Sequence, residues 1–149
     1  MALSTGYYVG IGRASVGTMY EEAVVVRVID GDTVELADGR RVRYIGIDTP
    51  ETVHPEENVE CYGPEASDRN RELVEGKIVE MQPGIEDTDK YGRLLRYVHV
   101  DDRFVNALLV SEGYAHASSS GEERRFRQVF VQLEQYSKLR DKGTWAACK

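Results

Sequence analysis

The stretch AVVVRVIDGDTVELADGRRVRYIGI, residues 23 to 47, decides the fold. Its first part, Ala23-Val24-Val25-Val26-Arg27-Val28-Ile29, is a β-branched run, and branched side chains pack well on a pleated surface while losing χ1 freedom in a helix. Asp30-Gly31-Asp32 breaks the run with turn residues. Thr33 to Leu36 resumes extended structure, and Asp38-Gly39 is a hairpin signal leading into a third strand, Arg41 to Ile47. Strands this close together are joined by tight turns and lie antiparallel, because parallel neighbours need a crossover of about a dozen residues or more. The stretch predicts a three-stranded meander.

Downstream, Asp48 to Gly63 is mostly polar with two prolines and reads as a surface loop. Pro64-Glu65-Ala66-Ser67 opens a helix, with proline and an acid in its first turn, that runs to Val74 or Glu75 and stops at Gly76. Lys77 to Gln82 reads as a fourth strand ended by Pro83-Gly84, and Leu94 to Val100 as a fifth. Asp101-Asp102 turns the chain into a short helix, Phe104 to Glu112, capped by Gly113. Ala117-Ser118-Ser119-Ser120-Gly121 is a loop. The clearest helix is the last: Phe126, Val129, Phe130, Leu133 and Tyr136 recur at three- and four-residue spacing through to about Leu139, and Gly143 ends it. Five strands, one helix after the third and two at the end predict a mainly β, α+β fold. The expected form is a five-stranded, partly open barrel of oligonucleotide-binding type with three helices.

A chain of 149 residues with 41% hydrophobic and 30% charged residues fits one globular domain. Residues 23–149 are expected to form it, behind a Gly-, Ser- and Tyr-rich leader over 1–22 that lacks the basic-then-apolar order of a secretory signal. No apolar run approaches the roughly 20 residues that cross a bilayer. A net charge of -7 argues against coating nucleic acid by bulk electrostatics. It leaves room for a hydrolase, where a few placed cations and a bound divalent ion serve the reacting phosphate. The two cysteines, Cys61 and Cys148, form no zinc-like cluster and read equally as two free thiols or one disulfide, the second implying an oxidising compartment.

Asp32 and Asp48 follow strands that the meander can bring to one end of the sheet. Close carboxylates repel unless something positive lies between them, and a hard cation such as calcium suits carboxylate and carbonyl oxygens. Taken singly, Asp-Gly and Thr-Pro are more often plain turn chemistry. Arg43 lies five residues before Asp48, and Arg93 closes Asp89-Lys90-Tyr91-Gly92-Arg93. Guanidinium offers a planar fork for two phosphate oxygens, although a lone arginine is usually a surface residue.

Together, Ile29-Asp30-Gly31-Asp32-Thr33-Val34, Arg43 with Asp48-Thr49-Pro50-Glu51-Thr52, Tyr62-Gly63-Pro64-Glu65-Ala66-Ser67, Asp89-Lys90-Tyr91-Gly92-Arg93 and Val105-Asn106 resemble the staphylococcal nuclease family from about Ala23 to Trp145. The resemblance implies a calcium-dependent phosphodiesterase that cuts single-stranded or locally open DNA and RNA and leaves 3′-phosphate ends. Asp32 and Asp48 would bind calcium through carboxylates and Thr49 through its carbonyl. Glu51 would hold or deprotonate the attacking water, Arg43 and Arg93 would grip the phosphate, and Lys90 and Tyr91 would contact a terminal phosphate.

The chain departs from the founding member of that family at three places. Residues 117–121 lack a stacking aromatic, which could otherwise contribute roughly 1 to 3 kcal/mol per base. Glu56 and Glu57 stand where that relative has lysines, which should weaken attraction for an anionic substrate. Cys61 and Cys148 look like a pair that is disulfide-bonded in some extracytoplasmic relatives, which implies a disulfide and a secreted or extracytoplasmic setting with a signal removed or absent; a monomer is the default expectation. His54, His99 and His116 are expected at the surface or in packing, and Trp145 as a tail anchor. The alternative is a catalytically weak or inactive module of the same fold that binds nucleic acid or peptide; such modules lack part of the acid and arginine set that is complete here.

Overall fold

The computed structural model describes residues 20–52 and 59–149. The leader up to residue 19, His54 and the acidic pair Glu56 and Glu57 lie outside the described residues.

Strands β1 (Glu21–Asp30), β2 (Thr33–Leu36) and β3 (Arg41–Tyr44) form the predicted antiparallel meander. Two-residue β4 (Ile47–Asp48) and helix α1 (Gly63–Val74) follow, and then β5 (Ile78–Thr88) pairs antiparallel with β1 and with β6 (Leu94–Val100). A parallel pairing of β6 with β3 closes the ring, so β1, β2, β3, β6 and β5 make a five-stranded barrel. Its interior is filled by Val25, Val28, Val34, Leu36, Val42, Met81 and Val98, with Leu73 and Val74 of α1 packed against them. Strand β7 (Arg103–Phe104) leads into α2 (Val105–Ser111). Strand β8 (His116–Ala117) pairs with β4, and α3 (Arg127–Leu139) and a short α4 (Thr144–Ala147) end the chain. Among the described residues there are thus four helices, one more than expected, and no helix is long and apolar enough to cross a membrane.

Two strand boundaries differ from expectation for visible reasons. The strand expected over Arg41 to Ile47 breaks at Gly46, which takes φ +81, and there the ring of Phe130 lies so close that a Cβ would sit 2.6 Å from its Cε2. The break turns the chain into β4 and brings Asp48 toward the end of β1. Pro83-Gly84, expected to end the fourth strand, instead lies within β5. Proline cannot donate to a ladder, and the β5–β6 register accordingly shifts between Pro83 and Thr88. The strand bulges away from β6 over residues 84–87 and pairs with it again at Thr88, opposite Leu94.

Helix α1 is fixed to the barrel by a buried amide. Asn70 accepts the Tyr44 hydroxyl at 2.7 Å through Oδ1 and donates from Nδ2 to the Asp30 carbonyl at 3.0 Å. Just before the helix, Cys61 is disulfide-bonded to Cys148, across 87 residues, tying the helix start to the tail. Trp145 is packed edge-on to His116 and lies under Lys138, as a tail anchor would be.

Candidate functional site

The β1–β2 turn and the end of β4 meet at one corner of the barrel. Asp32 is almost wholly buried there; its Oδ2 accepts the Thr49 N–H at 3.0 Å, and its Oδ1 accepts the Thr33 hydroxyl. The close fit depends on Gly31, where a Cβ would lie 2.7 Å from Thr49 Oγ1. Arg43, reaching along β3, places Nη2 at 3.2 Å from Asp32 Oδ2 and 3.1 Å from Asp48 Oδ1. Its Nη1 donates to the carbonyls of Tyr44 and Ile47, the two sides of the Gly46 turn. The split of the third strand therefore creates the seat in which this guanidinium is held.

Charge crowding marks the corner. Burial, then the charge of Asp32, raises the Asp30 carboxyl well above the usual carboxylate range. Burial and Asp32 also raise Asp48, with Arg43 and His116 pulling the other way. Glu51 is raised by burial first and then by Asp32, Asp48 and Glu60, against the pull of Arg43. Asp32, Asp48 and Glu51 thus share one electrostatic neighbourhood. Sharing Arg43 with the corner is a cleft of about 440 Å³ lined by Arg43, Ile85, Glu86, Asp89, Lys90, Tyr91, Arg93, Ser118, Ser120 and Glu123. Arg93 is aimed by Asp89, which accepts its Nε at 2.7 Å and the backbone N–H groups of Tyr91 and Arg93. The largely exposed Tyr91 ring lies beside both Lys90 and Arg93, 5.2 and 5.3 Å from its centroid. Arg43, Arg93, Lys90 and Tyr91 therefore open on one cleft.

The donor chemistry of the corner suits a hard divalent cation. Asp32 and Asp48 carboxylates and the Thr49 carbonyl are all oxygen ligands, and a guanidinium already serves as the counter-charge between the two aspartates. Buried Thr49 Oγ1 has no hydrogen-bond partner among the described residues, another oxygen at the same place. Also among the described residues, no three acidic, His or Cys side chains converge closely enough to hold an ion alone. An ion here would complete its shell with water and substrate oxygens, as a catalytic rather than a closed structural site requires.

The structure adds residues that the sequence reading left aside. Asp30 belongs to the corner: its Oδ1 accepts the Asp32 N–H at 3.2 Å, and the Asp-Gly-Asp spacing was the available signal. Glu60 clamps Glu51 from both sides, accepting its N–H at 2.9 Å and donating its own N–H to the Glu51 carbonyl at 3.0 Å. His116, expected at the surface or in packing, pairs with Asp48 across the β4–β8 ladder. Neither Glu60 nor His116 has a local sequence signal, because both contacts depend on distant segments meeting.

A family model described as Staphylococcal nuclease homologue matches residues 41–147. The chain is 36% identical over 136 residues to the thermonuclease of Staphylococcus intermedius, covering 89% of this chain and 81% of that protein. With the thermonuclease of Staphylococcus hyicus it shares 35% identity over 125 residues, 82% of this chain and 74% of that one. It is 40% identical over 126 residues to the SPbeta prophage-derived endonuclease YokF of Bacillus subtilis, covering 80% of this chain but 42% of that longer protein.

Proposed function

The chain belongs to the staphylococcal nuclease family, and from that premise we propose that this nuclease hydrolyses phosphodiester bonds of DNA and RNA in a calcium-dependent reaction that leaves 3′-phosphate ends. The observation that carries the reading is Arg43, whose Nη2 lies within 3.2 Å of Asp32 and 3.1 Å of Asp48 while its side chain also lines the cleft shared with Arg93.

Asp32, Asp48 and the Thr49 carbonyl would hold the ion. Bound calcium supplies Lewis-acid stabilisation of charge on a phosphate oxygen and a template for in-line geometry. Glu51 takes a proton from the attacking water, its backbone held by the Glu60 clamp so that the carboxylate keeps its place. Water adds to phosphorus, the bond to the 5′ oxygen breaks, and that oxygen takes a proton from solvent, so the products are a 3′-phosphate and a 5′-hydroxyl. Arg93, oriented by Asp89, meets the charge that grows on the phosphate oxygens. Arg43 grips two of those oxygens only by moving Nη2 off the aspartates, since Nη1 is committed to two carbonyls. Lys90 and Tyr91, which line the same cleft, contact a terminal phosphate of the substrate.

The reading extends to a monomer acting on single-stranded or locally open polymer in a secreted or extracytoplasmic setting, where the Cys61–Cys148 bond persists. Digesting single-stranded DNA and RNA with calcium and identifying the new termini tests the chemistry. Both polymers should yield 3′-phosphate and 5′-hydroxyl ends. Ends of the opposite kind would overturn the assigned bond.

A further inference from the structure

The cleft has two walls made by segments far apart in the chain. One is the bulge of β5, with Ile85 and Glu86; the other is the loop of Ser118, Ser120 and Gly121. Glu123 joins them. Its Oε1 accepts the Ile85 N–H at 2.7 Å, and its Oε2 accepts the Arg125 N–H at 3.0 Å. The β5–β6 ladder is interrupted between Pro83 and Thr88, so the Ile85 N–H takes this carboxylate in place of a strand partner.

The fit is close. A Cβ on Gly84 would lie 2.6 Å from Glu123 Oε1, and the Glu123 side chain is only 9% exposed although it belongs to a surface loop. Burial works against its charge, but the Arg125 and Ile85 N–H groups and the nearby Tyr97 hydroxyl hold its carboxyl below the ordinary value. The Arg125 N–H, two residues on, fixes the carboxylate within its own loop, and the Ile85 N–H, from 38 residues away, makes the tie between the two walls.

We infer that Glu123 is a positioning residue that sets the width of the substrate cleft by latching its β5 wall to its loop wall, a role that rests on the reading of this cleft as the nucleic-acid site. With no aromatic in residues 117–121 to stack on a base, affinity depends on how closely the two walls approach the nucleotide between them. Losing the latch widens the cleft. It leaves the acid corner, which is built from other elements, in place.

Steady-state digestion of single-stranded DNA with calcium by the wild type, Glu123→Ala and Glu123→Gln tests this, with thermal melting as the check on folding. Glu123→Ala should raise KM about tenfold while kcat stays within about twofold, and Glu123→Gln, which keeps the shape and one acceptor oxygen, should raise KM about threefold. If the alanine variant does not fold, the glutamine variant decides. A residue that merely stabilised the loop would lower the melting temperature and leave KM alone. An unchanged KM in a folded variant, or a loss confined to kcat, overturns the latch. A wild type that leaves DNA intact overturns the reading of the site itself, and the latch with it.

Discussion

Glu51 and Arg93 reach the site from different segments, and neither supports the core. Glu51→Gln and Arg93→Ala should each lower kcat by about 10²- to 10⁴-fold with melting temperatures near that of the wild type, measured by initial rates and a thermal melt. A near-wild-type rate in either folded variant would contradict its role. The sequence made this set legible because each side chain sits in a local motif: Asp32 in Asp-Gly-Asp, Asp48, Thr49 and Glu51 in one short run, and Arg93 four residues after the Asp89 that orients it. Glu60, His116 and Glu123 stayed hidden because their partners, Glu51, Asp48 and Ile85, are brought to them by the fold. Asp89 and Glu123 also carry a pH dependence. Burial works against ionisation of Asp89, but N–H donors from Arg93 and Tyr91 and the Arg93 side chain win and hold its carboxyl below the ordinary carboxylate value. A depressed folded value means that the stabilisation is complete above the unfolded pKa and is lost as pH falls through the folded one. Urea midpoints should therefore fall as the pH drops below about 4, and less steeply in Asp89→Asn; parallel curves would refute the contribution.

At the scale of elements, the break in the third strand matters most, since it seats Arg43. Gly46→Ala would add a Cβ against the Phe130 ring at a positive φ, so a loss of about 2 to 4 kcal/mol is expected in urea unfolding. A change under about 0.5 kcal/mol, the range of ordinary surface substitutions, would show that the turn relaxes freely. Asn70→Ala leaves the Tyr44 hydroxyl and the Asp30 carbonyl without their partner and should cost about 2 to 4 kcal/mol by the same measurement. The long amphipathic pattern of α3 and the branched run of β1 were readable because their period extends over whole elements. The outcome at Gly46 and Pro83-Gly84 was not, because a lone glycine or proline signals interruption without saying whether the strand ends, bends or runs on past a bulge. Phe130 from α3 decides the first case, and the Glu123 carboxylate, offering the Ile85 N–H an acceptor, decides the second.

Over the whole molecule, the parallel β3–β6 pairing closes the barrel and brings the acid corner and the Arg93 cleft together. The meander was plain from the sequence, and the number and order of the elements suggested a partly open barrel, whereas its closure joins strands with no local signal for each other. The Cys61–Cys148 bond links residues 87 positions apart; replacing both cysteines by serine should lower stability by up to about 4 to 5 kcal/mol by chain entropy, read from urea unfolding. An equal midpoint in the serine variant would show that the tail docks without it. The most direct single measurement is the rate at which wild type and Glu51→Gln degrade single-stranded DNA side by side, first in calcium and then in excess chelator. The expected result is rapid degradation by the wild type in calcium alone and little by the variant. Equal degradation in chelator, or by the variant, would contradict a water-activating glutamate beside a divalent ion held by Asp32 and Asp48.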